Sequence, residues 1–444
     1  MYIALIGLWE QMESMRVKKS IYDFDYKKDD KNVVFNTFSK CCVRLDDEFF
    51  SRILNPIEYE PGEDRNIDYL VQNGILVRED FDEKEYLKYF YNKTCFNPEY
   101  LVLTIAPTLG CNFDCPYCFE KKHNGMMSKE VQDGILQFVS GKVAKGAKVL
   151  EVSFYGGEPL LCFDVIRYLV SGINAIKGEK ELRIKYGIIT NGYLLTKEMV
   201  DFFEINKFSV QITIDGMEEM HNLRRYLVNG DGTWKKITEN LKLFENRQID
   251  VYVRMNIDQE NGSDFVKLCD FIESFNNPRM IVYPSITEEI NDTDTRNLYL
   301  SEEGYDAFVL DEHNRAAFRN REKEVPISND VSKIPDKRCY HCTAELDNTC
   351  VIDEKGNVYK CWDEIGIQSS ICFNICEPQK CDYQNVLKYV SCDFFQDEKC
   401  GNCNKLPICF GGCRFHKNHS HKVKCAYSDE ALINYIETYI LKAK

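Results

Sequence analysis

Three cysteines stand at positions 111, 115 and 118 in "LTIAPTLGCNFDCPYCFEKK", residues 103–122. Positions i, i+4 and i+7 would share one face of an α-helix. Gly110, Asn112 and Asp114 are poor helix formers, however, and Pro116 would remove a helical hydrogen bond and clash with the preceding turn. The segment therefore reads as a loop that can wrap a group. A structural zinc site takes four ligands, usually as two pairs. Three thiolates on a four-iron cluster leave one iron without a protein ligand, free to bind a substrate or cofactor. That arrangement points to catalysis rather than electron carriage alone.

The preceding run "YLVLTIAP" reads as a buried strand, which puts the cysteines just past its carboxyl end, where α/β proteins place their chemistry. Five further runs of the same kind follow between helical patterns: "KVLEVSFYGG", "LRIKYGIITNG", "FSVQITIDG", "DVYVRMNID" and "PRMIVYPSI". Alternating β and α units imply a parallel sheet with right-handed crossovers from residue 100 to about 320. Six units fall short of a closed eightfold barrel, so a partial barrel is expected. Its strand ends carry "YGGEP" (Tyr155 to Pro159), "TNG" (Thr190 to Gly192) and "TIDG" (Thr213 to Gly216). Glycines without a Cβ allow close backbone approach, and the Glu158 carboxylate suits an ammonium group.

With 444 residues, the chain has room for two or three domains. Its 56 basic and 71 acidic residues leave a net charge of −15, which gives no surface for tracking phosphates, and no nucleic acid partner is expected. The 21 cysteines would mean disulfides in a secreted chain. "MYIALIGLWEQMESMRVKKS" has no basic residue before its short apolar run and no convincing cleavage site, and no segment approaches a membrane span. A reducing cytoplasm is expected, with the cysteines serving metal. Met12 or Met15 would serve equally as the start of the folded chain.

Taken together and in this order, the motifs resemble the radical S-adenosylmethionine (SAM) superfamily over roughly residues 100 to 300. The resemblance implies that Cys111, Cys115 and Cys118 hold a four-iron cluster whose open iron is chelated by SAM. It implies that Gly156, Gly157 and Glu158 bind the methionine amino group and that Tyr117 lies near the adenine. Thr190, Asn191, Thr213, Asp215 and Arg254 complete the expected SAM-binding set. Reductive cleavage of SAM yields a 5′-deoxyadenosyl radical that takes hydrogen from the substrate, while the barrel supplies position and excludes water.

A second pattern lies near the carboxyl end. "CTAELDNTCVIDEKGNVYKCWDEIG" spans Cys342, Gly356 and Cys361, and "KCGNCNKLPICFGGCRF" holds Cys400, Cys403, Cys409 and Cys413, with Cys425 beyond. It resembles the SPASM extension of radical SAM enzymes that modify peptides and proteins. That resemblance implies two auxiliary four-iron clusters, three clusters in all. Cys342, Cys361 and Cys413 would hold the first, with Cys339 as fourth ligand, and Cys400, Cys403, Cys409 and Cys425 the second. Cys350 reads as a small buried hydrophobe, or as an alternative ligand on an otherwise open iron. Cys372, Cys376, Cys381 and Cys392 match no ligand position and read as reduced or buried thiols, a further metal site or a redox-labile pair. Cys41, Cys42, Cys95, Cys162 and Cys269 read as core. His221 is read equally as an active-site rim residue or a structural one.

The expected fold is thus α/β, with a winged-helix-like α+β module at 1–98, a radical SAM partial barrel of six βα units at 99–325 and a cysteine-rich SPASM domain at 326–444. The function expected is maturation of a ribosomally made precursor peptide with a leader and a cysteine-rich core, by thioether formation of the sactionine or ranthipeptide type. Carbon-carbon crosslinking and epimerisation are alternatives. Oxidation of Cys or Ser to formylglycine, as in sulfatase maturases, is another; relatives of that type carry an aspartate where Trp362 stands, one residue before Asp363. Asp363 or Glu364 is the candidate proton acceptor. A non-catalytic iron-sulfur carrier would have no use for the strand-end motifs. The expected partners are the precursor and a reductant such as flavodoxin or ferredoxin, with no membrane.

Overall fold

Two compact units divide the chain, and in this computed structural model the described residues are 14–178, 181–287, 298–311, 339–391, 393–420 and 425–441. The first unit gathers the described residues of 1–96, 333–346 and 390–444. It holds strands β1 (Met15–Lys19), β2 (Asp23–Lys28), β3 (Lys31–Asn36), β4 (Cys42–Leu45), β5 (Ile57–Tyr59) and β6 (Leu76–Arg78), with helices α1 (Asp47–Ile53), α2 (Arg65–Gln72) and α3 (Glu83–Cys95). Two antiparallel sheets result, ordered β5-β1-β6 and β2-β3-β4. Helix α2 starts where the Asp64 side chain accepts from the Asn66 and Ile67 amides. It stops at Gly74, whose φ of +72° suits a residue without a Cβ.

Both ends of the chain meet in this unit. The apolar side of β2 and β3 (Phe24, Val33, Phe35) packs with Ile408, Leu432 and Ile436. Tyr91 of α3 stacks on Phe410 at 5.7 Å and meets Phe394 edge-on at 5.1 Å. Short three-stranded sheets bury little apolar surface alone, so the cysteine-rich tail completes a core that the sequence assigns to two separate domains.

The second unit carries the barrel strands β7 (Tyr100–Ile105), β8 (Val149–Phe154), β9 (Arg183–Thr190), β10 (Phe208–Thr213), β11 (Asp250–Ile257) and β12 (Met280–Ile286). All six expected strands form, because their aliphatic and β-branched residues are buried in one continuous core. They pair in parallel in sequence order, with helices α4 (Lys129–Ala144), α5 (Phe163–Lys177), α6 (Lys197–Ile205), α7 (Glu218–Arg224), α8 (Trp234–Leu241) and α9 (Phe265–Glu273) in the crossovers. The result is the expected open partial barrel. The stretch Pro159–Lys177 is long and apolar enough to cross a membrane, yet its Val165, Ile166, Leu169, Val170 and Ile173 lie in the barrel core.

One feature differs from the expected domain plan. Strands β13 (Thr349–Ile352), β14 (Asn357–Tyr359) and β15 (Phe373–Asn374) extend the barrel sheet, with β13 parallel to β7 and Ile352 opposite Ile105. The sequence "TCVI" is buried at all four positions and covers an edge of β7 that would otherwise offer unpaired backbone. Residues 347–389 therefore belong to the barrel unit rather than to a separate carboxyl-terminal domain, and the expected boundary at 325 lies outside the described residues.

Candidate active site

Beyond β7 the chain closes a loop on itself. The Thr108 hydroxyl donates to the Gly125 carbonyl at 2.5 Å and accepts from the Gly110 amide at 2.9 Å. Phe113, wholly buried against Tyr193, anchors the middle of the loop. Cys111, Cys115 and Cys118 are all half-buried along it. The Cys118 amide bonds to the Cys115 carbonyl at 3.2 Å, a tight turn that accommodates Pro116. Two sulfurs receive amides from two residues downstream: Phe113 N–H reaches Cys111 Sγ at 3.4 Å, and the Glu120 amide bonds Cys118. Burial pushes the free thiols up, Cys111 to about 12 and Cys118 to about 11, so ionising them requires an added cation.

The "YGGEP" strand end is pressed onto that loop. Gly157 N–H donates to the Thr108 carbonyl at 3.2 Å and Glu158 N–H to the Gly110 carbonyl at 2.9 Å. A Cβ on Gly156 would sit 2.4 Å from the Thr108 oxygen, and one on Gly157 would sit 2.2 Å from the Gly110 oxygen. These glycines are thus required by the approach of two backbones. Glu158 is fully buried and accepts from Leu160 N–H (3.0 Å), the Thr190 hydroxyl (2.7 Å) and Asn191 N–H (2.7 Å). Asn191 Nδ2 in turn donates to Asn112 Oδ1 at 2.8 Å and lies 3.9 Å from Cys111 Sγ. GGE, TNG and the cysteine loop are one hydrogen-bonded object.

On the other side of the loop stands a charged group that the sequence motifs only half revealed. Asp215, fully buried, accepts from Asn256 N–H at 2.9 Å and from the Tyr117 hydroxyl. Arg225 donates to that hydroxyl at 2.5 Å, and Arg224 bridges Asp258 and the Asn256 carbonyl. Burial alone would raise the Asp215 carboxyl, but Arg224 and Arg225, with the Tyr117 and Asn256 donors, hold it below the ordinary carboxylate range. Thr213 is buried at the end of β10, and Arg254 donates to Asn256 Oδ1 at 2.8 Å. Sequence reasoning missed Arg224, Arg225 and Asn256. The only available signal was the "RR" three residues after His221.

His221 proves structural. It is wholly buried; Nδ1 accepts from Asp215 N–H at 3.3 Å, which leaves Nε2–H to donate to the Thr233 hydroxyl at 3.0 Å. Burial first, and then Arg225, lowers its pKa from 6.5 to about 3. Protons therefore bind the unfolded chain more tightly, and stability present above pH 6.5 should be lost as pH falls toward about 3. The slope from this residue is at most ~1.4 kcal/mol per pH unit. Thermal melts between pH 7 and 5 should show His221→Gln with a flatter pH dependence than the parent chain.

The description "Radical SAM superfamily" fits residues 105–272, from the last residue of β7 into α9, the span that contains all of these groups. The chain carries a radical SAM domain. The cysteine-type anaerobic sulfatase-maturating enzyme of Clostridium novyi is 25% identical over 350 residues, covering 71% of this chain and 88% of that relative. The radical SAM cyclopropyl synthase TigE of Paramaledivibacter caminithermalis is 23% identical over 403 residues, 86% of this chain and 79% of its own. Among solved structures, native anSMEcpe with bound AdoMet and the Cp18Cys peptide shares the fold, with TM-score 0.59 and 21% identity over 77% of this chain and 97% of that one.

Near the cysteine loop stand two interacting carboxyls, Asp363 and Glu120. Asp363 is half-buried with Oδ2 3.6 Å from Cys361 Sγ, whereas Glu364 is buried. Glu120, which the sequence reading passed over, bonds the Tyr155 hydroxyl, and burial raises its carboxyl to about 7, with the Asp363 charge adding to the shift. Trp362, 42% exposed, packs on the Tyr155 ring at 5.7 Å.

The auxiliary cysteines distribute over both units. Cys339, Cys342, Cys400, Cys403, Cys409, Cys413 and Cys425 lie in the first unit, Cys361 in the second. The sulfurs of Cys342 and Cys409 repeat the pattern of Cys111 and Cys118, taking the amides of Ala344 and Gly411, and Cys409 takes the Ala426 amide as well. Such N–H donors stabilise thiolate sulfur in iron-sulfur sites. Among the described residues, no three His, Cys, Asp or Glu converge as the ligands of a single ion would. The amide donors on Cys342 and Cys409 are the observation here that suits iron-sulfur ligation. The thiols without a ligand assignment behave differently. Cys372 and Cys376 donate to the carbonyls of Ser370 and Glu130, each at 3.9 Å. Cys350 is buried in β13, and Cys381 is half-buried. Cys95, Cys162 and Cys269 are core; Cys41 and Cys42 are half-buried. Cys392 lies outside the described residues.

Proposed function

We propose that this radical SAM enzyme matures a ribosomally made precursor peptide, joining a cysteine sulfur to a carbon of another residue. The carrying observation is that the cysteine loop, GGE and TNG form one hydrogen-bonded array, with the charged Asp215 group packed on its Tyr117 side, in a chain that also has a cysteine-rich extension with amide donors on its sulfurs. The relatives named as acting on sulfatases, and the fold shared with a peptide-bound structure, support a polypeptide substrate. When bound, the SAM cluster would supply the electron that cleaves SAM to methionine and a 5′-deoxyadenosyl radical, and the two auxiliary clusters would supply an acceptor for the electron left over after bond formation, with flavodoxin or ferredoxin as external reductant.

The chain's own residues do the rest. Cys111, Cys115 and Cys118 hold the SAM cluster; Gly156, Gly157, Glu158, Thr190, Asn191, Thr213, Asp215, Arg254 and Tyr117 shape the SAM site. Asp363 takes the thiol proton and can pass it to Glu120 nearby, whose carboxyl, raised by burial to about 7, accepts and releases protons near neutrality. Residues 1–98 hold the leader by adding its strand to a sheet edge. Because this segment shares a core with the tail, an edge substitution tests it: Arg44→Pro, exposed on edge strand β4, should spare uncoupled SAM cleavage and weaken precursor binding in calorimetry; equal affinity would remove this role.

A second reading, cysteine oxidation to formylglycine, is favoured by the 25% identity to the Clostridium novyi enzyme and opposed by Trp362, whose indole N–H donates and accepts no proton. Mass spectrometry separates the two. A thioether product should be about two mass units lighter and leave one cysteine resistant to alkylation, because one S–H and one C–H hydrogen are lost. Loss of about eighteen mass units would mean formylglycine, since sulfur leaves and oxygen enters. Every cysteine alkylated would favour a carbon-carbon crosslink, and unchanged mass with deuterium at a Cα an epimerisation.

A further inference from the structure

The first unit contains a buried ion pair that neither the fold nor the motifs require. Glu345 is 0% and Arg414 1% exposed, with Arg414 Nε 3.1 Å from Glu345 Oε1. The other carboxylate oxygen accepts from His341 N–H at 3.2 Å, and the His341 ring Nδ1 lies 3.0 Å from the Cys409 carbonyl. Arg414 Nη2 donates to the Phe410 carbonyl at 2.8 Å, and the guanidinium lies 4.7 Å from the Phe394 ring centre. Glu345 thus grips the segment that carries Cys342, and Arg414 grips the segment that carries Cys409 and Cys413.

Desolvating two charges costs about what their attraction returns, and apolar residues of the same size would serve stability as well. What such a pair provides instead is a fixed distance and a fixed field. Its two ends sit three residues from Cys342 and one from Cys413, cysteines far apart in the chain.

We propose that the Glu345–Arg414 pair is the positioning element of the first auxiliary cluster: it sets the spacing between the Cys342 and Cys413 segments and balances the charge beside them. The pair touches no reacting atom. Its removal alters whether the cluster assembles and at what potential it takes an electron. Neutralising Glu345 leaves the buried guanidinium uncompensated, and a nearby cation stabilises the reduced cluster, so the midpoint potential moves up. This inference rests on the reading that Cys342 and Cys413 bind an iron-sulfur cluster.

The test uses the full chain reconstituted anaerobically, with iron counted and each cluster titrated by electron paramagnetic resonance. Glu345→Gln should either lose about a third of the iron or keep it with one auxiliary midpoint shifted upward, while the SAM-cluster signal reports an intact barrel. If Glu345→Gln does not fold, Arg414→Lys decides: it keeps the charge, loses the planar fork, and should again lose about a third of the iron. Full iron with an unshifted midpoint in the folded variant overturns the proposal. Only about four irons in the parent chain would instead remove the auxiliary clusters, and the pair's role with them.

Discussion

Replacing Cys111, Cys115 and Cys118 together with alanine should abolish formation of 5′-deoxyadenosine and remove about four of about twelve irons. The three thiols share one loop, and two of them already take backbone amides, so the loop is shaped to hold sulfur as thiolate. Burial keeps the free thiols protonated, and binding of iron must displace those protons. The auxiliary cysteines lie in other segments and should retain their irons. Iron analysis and chromatography of the SAM products check both parts. Continued 5′-deoxyadenosine formation by the triple variant would place the SAM cluster elsewhere.

A single methyl group at Gly157 should do almost as much damage. The added Cβ would lie 2.2 Å from the Gly110 carbonyl oxygen and 2.7 Å from that of Leu109, both backbone atoms beside Cys111. Neither is the tip of a flexible side chain, so strand end and loop must separate. Overpacking of this kind costs about 1–3 kcal/mol of stability. The larger effect is positional, because a shift near 1 Å in a catalytic group can cost about 100-fold in rate. Gly157→Ala should therefore fold with a lowered melting temperature and cleave SAM about 100-fold more slowly. Gly141→Ala serves as the control: it lies within α4 with nothing within 4 Å of its Cβ position, and alanine there should leave the rate unchanged and stability equal or higher. A Gly157→Ala enzyme with the parent rate would show that the strand end does not hold the cysteine loop.

Much of the barrel was legible before folding. Buried parallel strands read as continuous aliphatic runs, since both faces are covered, and each of the six runs ends where its strand ends, to within a few residues. The loop at 111–118 was equally legible, because Pro116 and Gly110 deny it a helix. Less legible was the origin of the GGE requirement. The sequence suggests glycine for a ligand, whereas the structure shows glycine for the loop backbone, a contact between segments some forty-five residues apart. His221 was undecidable for a related reason. A histidine after a strand reads the same whether it faces solvent or donates to a buried Thr233.

By itself, the sequence determined the residue types that can do the chemistry and the local elements that carry them: thiols in a loop, glycines and amides at strand ends, and a parallel α/β alternation. These follow from propensities and spacings that act over a few residues. Only the tertiary structure decided that β13 lies beside β7 and that the β2-β3-β4 sheet shares a core with the cysteine-rich tail. The pairing of Arg225 with Tyr117 over Asp215 and the meeting of Glu345 with Arg414 were likewise settled only by the fold. Each of these depends on which distant surfaces remain apolar or unpaired after the local elements form. The free energy of covering them is a property of the assembled chain, not of any short stretch of it.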